Sequence, residues 1–151
     1  MARTIRRARP EEAAELTALI FASKRSNGYD DAFMAACAEE LRVTAEDIET
    51  KEVWVAADAS VLGCVTLLRE NARLGEVTSF FVHPDAKRQG VGRQLWSRVL
   101  SRSRDMGLTR LVLDADPEAV AFYEAMGFAV IGSSPSGSIP GRMLPQMALD
   151  L

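Results

Sequence analysis

The apolar positions of the chain change period along its length, and each change marks an element. Thr4 to Ala8 reads as a first strand, and Pro10 then opens a helix, where proline is tolerated. Glu11, Glu12 and Glu15 favour the positive end of that helix, and Leu16, Leu19, Ile20 and Phe21 form its buried stripe. Asn27-Gly28 signals a turn. Asp30 caps a second helix whose Phe33, Met34, Cys37 and Leu41 share a face. Thr44 and Asp47 have capping-box spacing for one helical turn to Thr50. Val53–Ala57 and Val61–Leu68 read as strands joined by the turn Asp58-Ala59-Ser60. After a second turn at 71–75, Val77, Phe80, Phe81 and Val82 form a short apolar run of β-formers, as in a buried strand. The strands from 53 to 82 thus form an antiparallel meander.

His83-Pro84-Asp85 ends the third of these strands, because Pro84 has no N–H for a ladder. Leu95, Trp96, Val99 and Leu100 then recur at helical spacing, which predicts a helix from near Gly92 to about Met106, stopped by Gly107. Arg110 to Ala115 is an apolar strand, and strand–helix–strand implies a right-handed crossover to a parallel neighbour. Pro117 to Met126 is a short helix closed by Gly127, and Phe128 to Gly132 is a strand. A Ser/Gly/Pro loop leads to a last strand, Arg142 to Leu149, in which Pro145 requires an edge or a bulge.

The order strand, glycine loop, helix over residues 75–96 carries chemistry. The first N–H groups of a helix lack internal partners, and the helix dipole puts partial positive charge at the same end. Such ends bind phosphate. Gly90 and Gly92 would let a diphosphate approach the main chain, with Lys87, Arg88 and Arg93 adding charge. A dinucleotide fingerprint would need a third glycine at 95, where Leu95 stands, and no Gly-Lys-Ser/Thr tripeptide of a P-loop occurs. The loop alone also fits a plain tight turn.

Two segments resemble the GNAT-type N-acetyltransferases. Lys87-Arg88-Gln89-Gly90-Val91-Gly92 is similar to the family's acyl-CoA-binding pattern, Arg/Gln-x-x-Gly-x-Gly/Ala, with Lys87 in the place of the usual Arg or Gln. The segment from Ala119 to Phe128 resembles the family's Ala-x-x-Phe/Leu-Tyr-Glu-x-x-Gly-Phe signature, at the family's order and separation. The resemblance implies an α/β (α+β) fold with a mixed, mostly antiparallel sheet of six to seven strands. About four helices flank that sheet, and its central strands splay apart. It implies one acetyltransferase domain over residues 1–151 and acetyl-CoA as co-substrate.

The implied reaction moves an acetyl group to a primary amine by direct attack in a ternary complex. Pantetheine would bond the free strand edge at Phe81 and Val82, and residues 87–93 (Lys87, Arg88, Gln89, Gly90, Val91, Gly92 and Arg93) would hold the diphosphate. Asp116, where many members carry Asn, and Phe122 complete the implied cofactor contacts. Tyr123 would donate a proton to the departing thiolate. Glu76 is the candidate base, and equally fits a solvated strand-end carboxylate. The first two helices and their loop would border the acceptor amine. A non-catalytic acyl-CoA-binding module that senses or regulates is the alternative.

Composition narrows the rest. At 151 residues, with 48% apolar and 26% charged positions, the chain suits one soluble domain with a core of its own. No apolar run reaches membrane-spanning length and no signal-peptide stretch opens the chain, which predicts a cytoplasmic protein. Cys37 and Cys64 fit reduced core residues. One histidine and two scattered cysteines predict no metal site, and the turn-forming His83 reads as structural. A net charge of −3 argues against nucleic acid as a partner. Residues 85–110 nevertheless carry a net +5 and residues 11–84 a net −8. Basic charge gathered on one loop and helix suits a polyanionic small ligand, with Arg98, Arg102 and Arg104 as a solvated face. The acidic part points weakly to a cationic small-molecule or peptide amine. A homodimer is compatible with the sequence.

Overall fold

A computed structural model describes residues 3–151, and these form one seven-stranded sheet. The strands are β1 (Thr4–Arg7), β2 (Glu52–Ala57), β3 (Val61–Arg69), β4 (Leu74–Val82), β5 (Arg110–Asp114), β6 (Ala129–Pro135) and β7 (Met143–Asp150), in the spatial order β1-β2-β3-β4-β5-β7-β6. Only β4 and β5 are parallel neighbours. The expected meander and crossover are both present.

Helices cover both faces. On one side lie α1 (Ala13–Arg25), α2 (Asp31–Leu41) and α3 (Ala45–Thr50), and on the other α4 (Val91–Asp105) and α5 (Val120–Ala125). The alternation along β3 shows why two cores form. Cys64 packs with Leu16, Leu19 and Ile20 of α1, whereas Val65 and Leu67 pack with Val91, Leu95 and Val99 of α4. The described residues form five α-helices, where about four were expected, because the turn after Thr44 extends into α3. Its capping box is complete: the Asp47 N–H donates to the Thr44 hydroxyl at 3.0 Å and the Thr44 N–H to the Asp47 carboxylate at 2.9 Å. Among the described residues no helix is long and apolar enough to cross a membrane.

Pro145 corrects a sequence expectation. It lies in β7, an interior strand, and the only irregularity beside it is on the partner β6, between Val130 and Gly132. The physical reason lies on the β5 side. The Pro145 carbonyl accepts from the Ala115 N–H at 2.8 Å, so its nitrogen faces the same way, past the last β5 pair at Asp114↔Gln146. The missing donor therefore falls at the closing Ala115–Pro145 pair, which keeps one of its two bonds.

Gly63 brings α4 close to the sheet. A Cβ there would lie 2.9 Å from Val91 Cγ1 and 3.1 Å from the Phe81 carbonyl oxygen. Gly63→Ala is expected to destabilise the fold by about 1–3 kcal/mol, because the backbone oxygen cannot yield. Chemical denaturation checks this, and an unchanged midpoint would contradict it.

Candidate active site

The site begins with a bend in β4. Between Cys64↔Phe81 and Thr66↔Thr78, β4 takes three steps against two on β3. Ser79 carries the extra residue, with φ at 49°, a left-handed conformation uncommon for a non-glycine. The Cys64 thiol, its pKa pushed up to about 12 by burial, donates to the Ser79 carbonyl. Before this bulge β4 pairs with β5 over Leu74–Glu76, opposite Arg110–Val112. Beyond Glu76 the two strands part. Phe80, Phe81 and Val82 are consequently only half-buried, unlike the closed core strand their composition implies.

The open edge leads to the glycine loop. Pro84–Ala86 makes a short 3₁₀ turn in which the His83 ring accepts from the Asp85 N–H at 3.1 Å, so the one histidine shapes the turn. Arg88 (φ 65°) and Gly90 (φ 80°) both take the left-handed conformation, and Gly90 caps α4. The main-chain N–H groups of residues 87–93 make no hydrogen bond of ordinary geometry to any described residue. These seven consecutive N–H groups lead into the positive end of a 15-residue helix, whose first donors have no partner within the helix. Gly92 is buried, and a Cβ there would meet the Phe122 ring at 3.0 Å. The absent side chain thus lets α5 pack closely on α4.

Basic side chains surround the loop. Arg88 and Arg93 are exposed, and Lys87 Nζ donates to the Ser26 hydroxyl at 2.8 Å, tying the loop to the end of α1. Arg93 also borders a cleft of about 360 Å³ between α4 and α5, lined by Trp96, Ser97, Phe122, Ala125 and Met126. Arg3 supports the loop from behind, through the Gln89 carbonyl at 2.6 Å and the Gln94 side chain at 2.8 Å. Further along α4 the expected solvated face is partly committed: Arg102 pairs with Glu52 at 3.0 Å and Arg98 lies over the Trp54 ring at 4.8 Å. Only Arg104 of the three is a plainly exposed, unpaired side chain.

Tyr123 lies against the gap between β4 and β5. Its ring makes edge contacts with Phe80, Phe122 and Phe128. Its hydroxyl bonds to no described side chain or backbone group and reaches solvent, while burial of the residue, with the Asp116 charge second, raises its pKa well above an ordinary phenol. A phenol so placed keeps its proton at every physiological pH. Glu76 lies on the opposite face of β4, since its neighbour Val77 packs with Tyr123 in the α4 core. Burial first, then Glu70 and Asp114, raise the Glu76 pKa above the usual carboxylate value. Asp114 shares that face, because Leu111 and Leu113 point to the α4 core.

Asp116 caps the turn after β5 through the Glu118 N–H at 2.9 Å. Its carboxylate also takes Lys24 at 2.9 Å and the Tyr29 hydroxyl at 2.8 Å. Burial would raise its pKa, but the hydrogen bonds from Lys24, Glu118 and Tyr29 outweigh burial and lower it. The structure thus brings Val82, Phe122 and Tyr123 together beside Gly92 on the α4 face of β4, whereas the Phe81 side chain packs on the α1 face, the one that carries Glu76. It turns the Asp116 carboxylate toward α1 and its loop. Arg3, Lys24, Tyr29, Asp114 and Arg142 also reach this region. None lies in a motif, and only the fold brings them together.

The family described as Acetyltransferase (GNAT) domain matches residues 11–147. The chain belongs to the GNAT acetyltransferases. It is 31% identical to peptidyl-lysine N-acetyltransferase YjaB of Salmonella typhimurium LT2, over 86% of each chain. It is 30% identical to glucosamine 6-phosphate N-acetyltransferase 1 of rice, over 60% of this chain and 54% of that one. The crystal structure of the PaiA N-acetyltransferase of Thermoplasma acidophilum, in complex with coenzyme A, shares the fold at a TM-score of 0.82 and 18% identity, covering all of both chains. This GNAT protein is an acetyl-CoA-dependent N-acyltransferase, and its named relatives favour the enzyme over a non-catalytic binding module.

Proposed function

We propose that this enzyme transfers an acetyl group from acetyl-CoA to a primary amine by direct attack within a ternary complex. The observation that carries the reading is the run of free amides at residues 87–93 beside an unpaired edge of β4. The diphosphate fits those amides with Lys87, Arg88 and Arg93 around it, and the pantetheine arm fits the edge at Phe81 and Val82 as an added strand. Phe122, which is 38% exposed, would close the side of the opening. Asp116 would contribute to this cofactor site mainly by holding the α1–α2 loop in place through Lys24 and Tyr29.

The thioester supplies an activated acyl carbon. Glu76, its proton affinity raised by burial, would take the proton of the acceptor amine directly or through water. A backbone N–H near Val82 would face the oxygen that gains negative charge. The C–S bond would break as the C–N bond forms, and Tyr123 would give its proton to the departing sulfur, regaining one from solvent. The relatives named for a peptidyl lysine and for a sugar amine support a small-molecule or peptide acceptor. The edge strand β6, with Val130 and Ile131 about half exposed, supports a homodimer through that edge, and light scattering at the monomer mass would exclude it. The buried free thiols of Cys37 and Cys64 fit a reducing compartment such as the cytoplasm.

Thiol release from acetyl-CoA in the presence of an amine panel tests the activity, and release that no amine stimulates would overturn it. For the base, Glu76→Gln is expected to slow transfer about tenfold at neutral pH, the effect being small because water reaches this half-open site. The wild-type rate should fall as pH drops through the raised Glu76 pKa, and the variant should lose that acid limb. An unchanged limb would remove Glu76 from the mechanism.

A further inference from the structure

Four segments meet where the α1–α2 loop crosses the open end of the sheet. Lys24 ends α1, Tyr29 and Phe33 flank the start of α2, Asp116 follows β5 and Arg142 precedes β7. Tyr29 and Phe33 stack at 4.0 Å, and the Lys24 ammonium and the Arg142 guanidinium both lie over those rings. The three charged side chains are largely desolvated, at 11% exposure for Lys24, 14% for Asp116 and 18% for Arg142.

The charges do not balance. Two cations face one carboxylate, and no other carboxylate comes within ion-pair distance of either cation among the described residues. The Tyr29 hydroxyl cannot supply the missing negative charge, because burial, with Asp116 second, pushes its pKa up to about 12. Asp116 is already satisfied by Lys24, Tyr29 and the Glu118 N–H. Arg142 is the surplus charge. It donates one hydrogen bond, to the Tyr29 hydroxyl at 2.8 Å, and otherwise comes only within 3.7 Å of Asp116. Most of its five N–H donors have no described partner. A guanidinium stacked on aromatic rings, with its unpaired nitrogens open to solvent, is arranged for a carboxylate or phosphate.

The position connects this group to the reaction. Gln146 pairs with Asp114, so Gln146 and Asp114 share the face that carries Glu76. Arg142 continues the alternation of Gln146 and Leu144 along that face, about 13 Å from Gln146 at the rise of a β-strand. The face therefore runs from acidic (Glu76, Asp114) near the site of bond formation to cationic at its rim. Resting on the transferase reading above, we propose that the acceptor carries an anionic group, a carboxylate or a phosphate, close to its amine, and that Arg142, with Lys24 beside it, binds that group.

Matched acceptor pairs test this. The pairs are free α-amino acids with their C-terminal amides, and phosphoethanolamine with ethanolamine; a lysine-containing peptide serves as a further acceptor. Two signals are read: thiol release, and the melting shift each compound adds to the enzyme–CoA complex. The anionic member of at least one pair is expected to exceed its neutral partner at least tenfold in kcat/KM, and the responding pair tells carboxylate from phosphate. Arg142→Gln should raise the KM for that acceptor at least tenfold with kcat nearly kept, and Arg142→Lys should restore part of the loss. Equal responses within every pair, including none, would overturn the inference, as would a peptide lysine used as well as the favoured anion. An anionic compound that shifts melting selectively but is never acetylated would support this subsite and overturn the transferase reading instead.

Discussion

Gly92→Asp is expected to lower acetyl-CoA affinity by at least about a hundredfold, nearly 3 kcal/mol, by setting a carboxylate against the diphosphate. Gly92 stands in the first turn of α4, among the free amides of residues 87–93. Any side chain there also crowds Phe122, whose ring lies 3.0 Å from the position of a Cβ. Gly92→Ala separates the two effects, since a methyl brings the crowding without the charge. The alanine variant should lose less than about tenfold, because the Phe122 ring is partly exposed and can shift. Calorimetric titration measures both, with circular dichroism to establish that each variant is folded. Equal losses in the two would mean that crowding, not charge at the diphosphate, sets the affinity.

Tyr123→Phe is expected to lower kcat by about a hundredfold or more, within the usual span for a removed general acid, while acetyl-CoA affinity holds. The prediction follows from what the hydroxyl does not do. It bonds to no described group, so its removal leaves no donor or acceptor stranded, and the ring keeps its contacts with Phe80, Phe122 and Phe128. A structural hydroxyl would show the opposite pattern, a lower melting temperature with a normal rate. The loss should shrink for thioesters whose thiol leaves readily without a proton. A normal rate on acetyl-CoA would remove Tyr123 from the mechanism.

Much of the frame was legible because local signals agreed with the fold. Asp30 caps α2 through the Phe33 N–H at 2.8 Å, and Gly107 and Gly127 close their helices with positive φ. The glycine loop was legible as a helix start, and the resemblance of two motifs to one family gave it a ligand. The splay was not legible from composition. Phe80, Phe81 and Val82 read as a closed strand, and nothing in the residue type of Ser79 marks it for a left-handed backbone. The opening depends on a bulge, which is set by pairing with β3 and not by the local sequence. Pro145 misled for a related reason: its cost depends on where the neighbouring strand stops. The grouping of Lys24, Tyr29, Asp116 and Arg142 was invisible because 118 positions separate its ends and each residue alone reads as a side chain turned to water.

A crystal structure of the enzyme with coenzyme A tests the central claim most directly. The diphosphate is expected against the main-chain amides between Lys87 and Arg93, with the pantetheine arm bonded along β4 at Phe81 and Val82 and its sulfur near the Tyr123 hydroxyl. Diphosphate density elsewhere, with the residue 87–93 amides unengaged, would contradict the account.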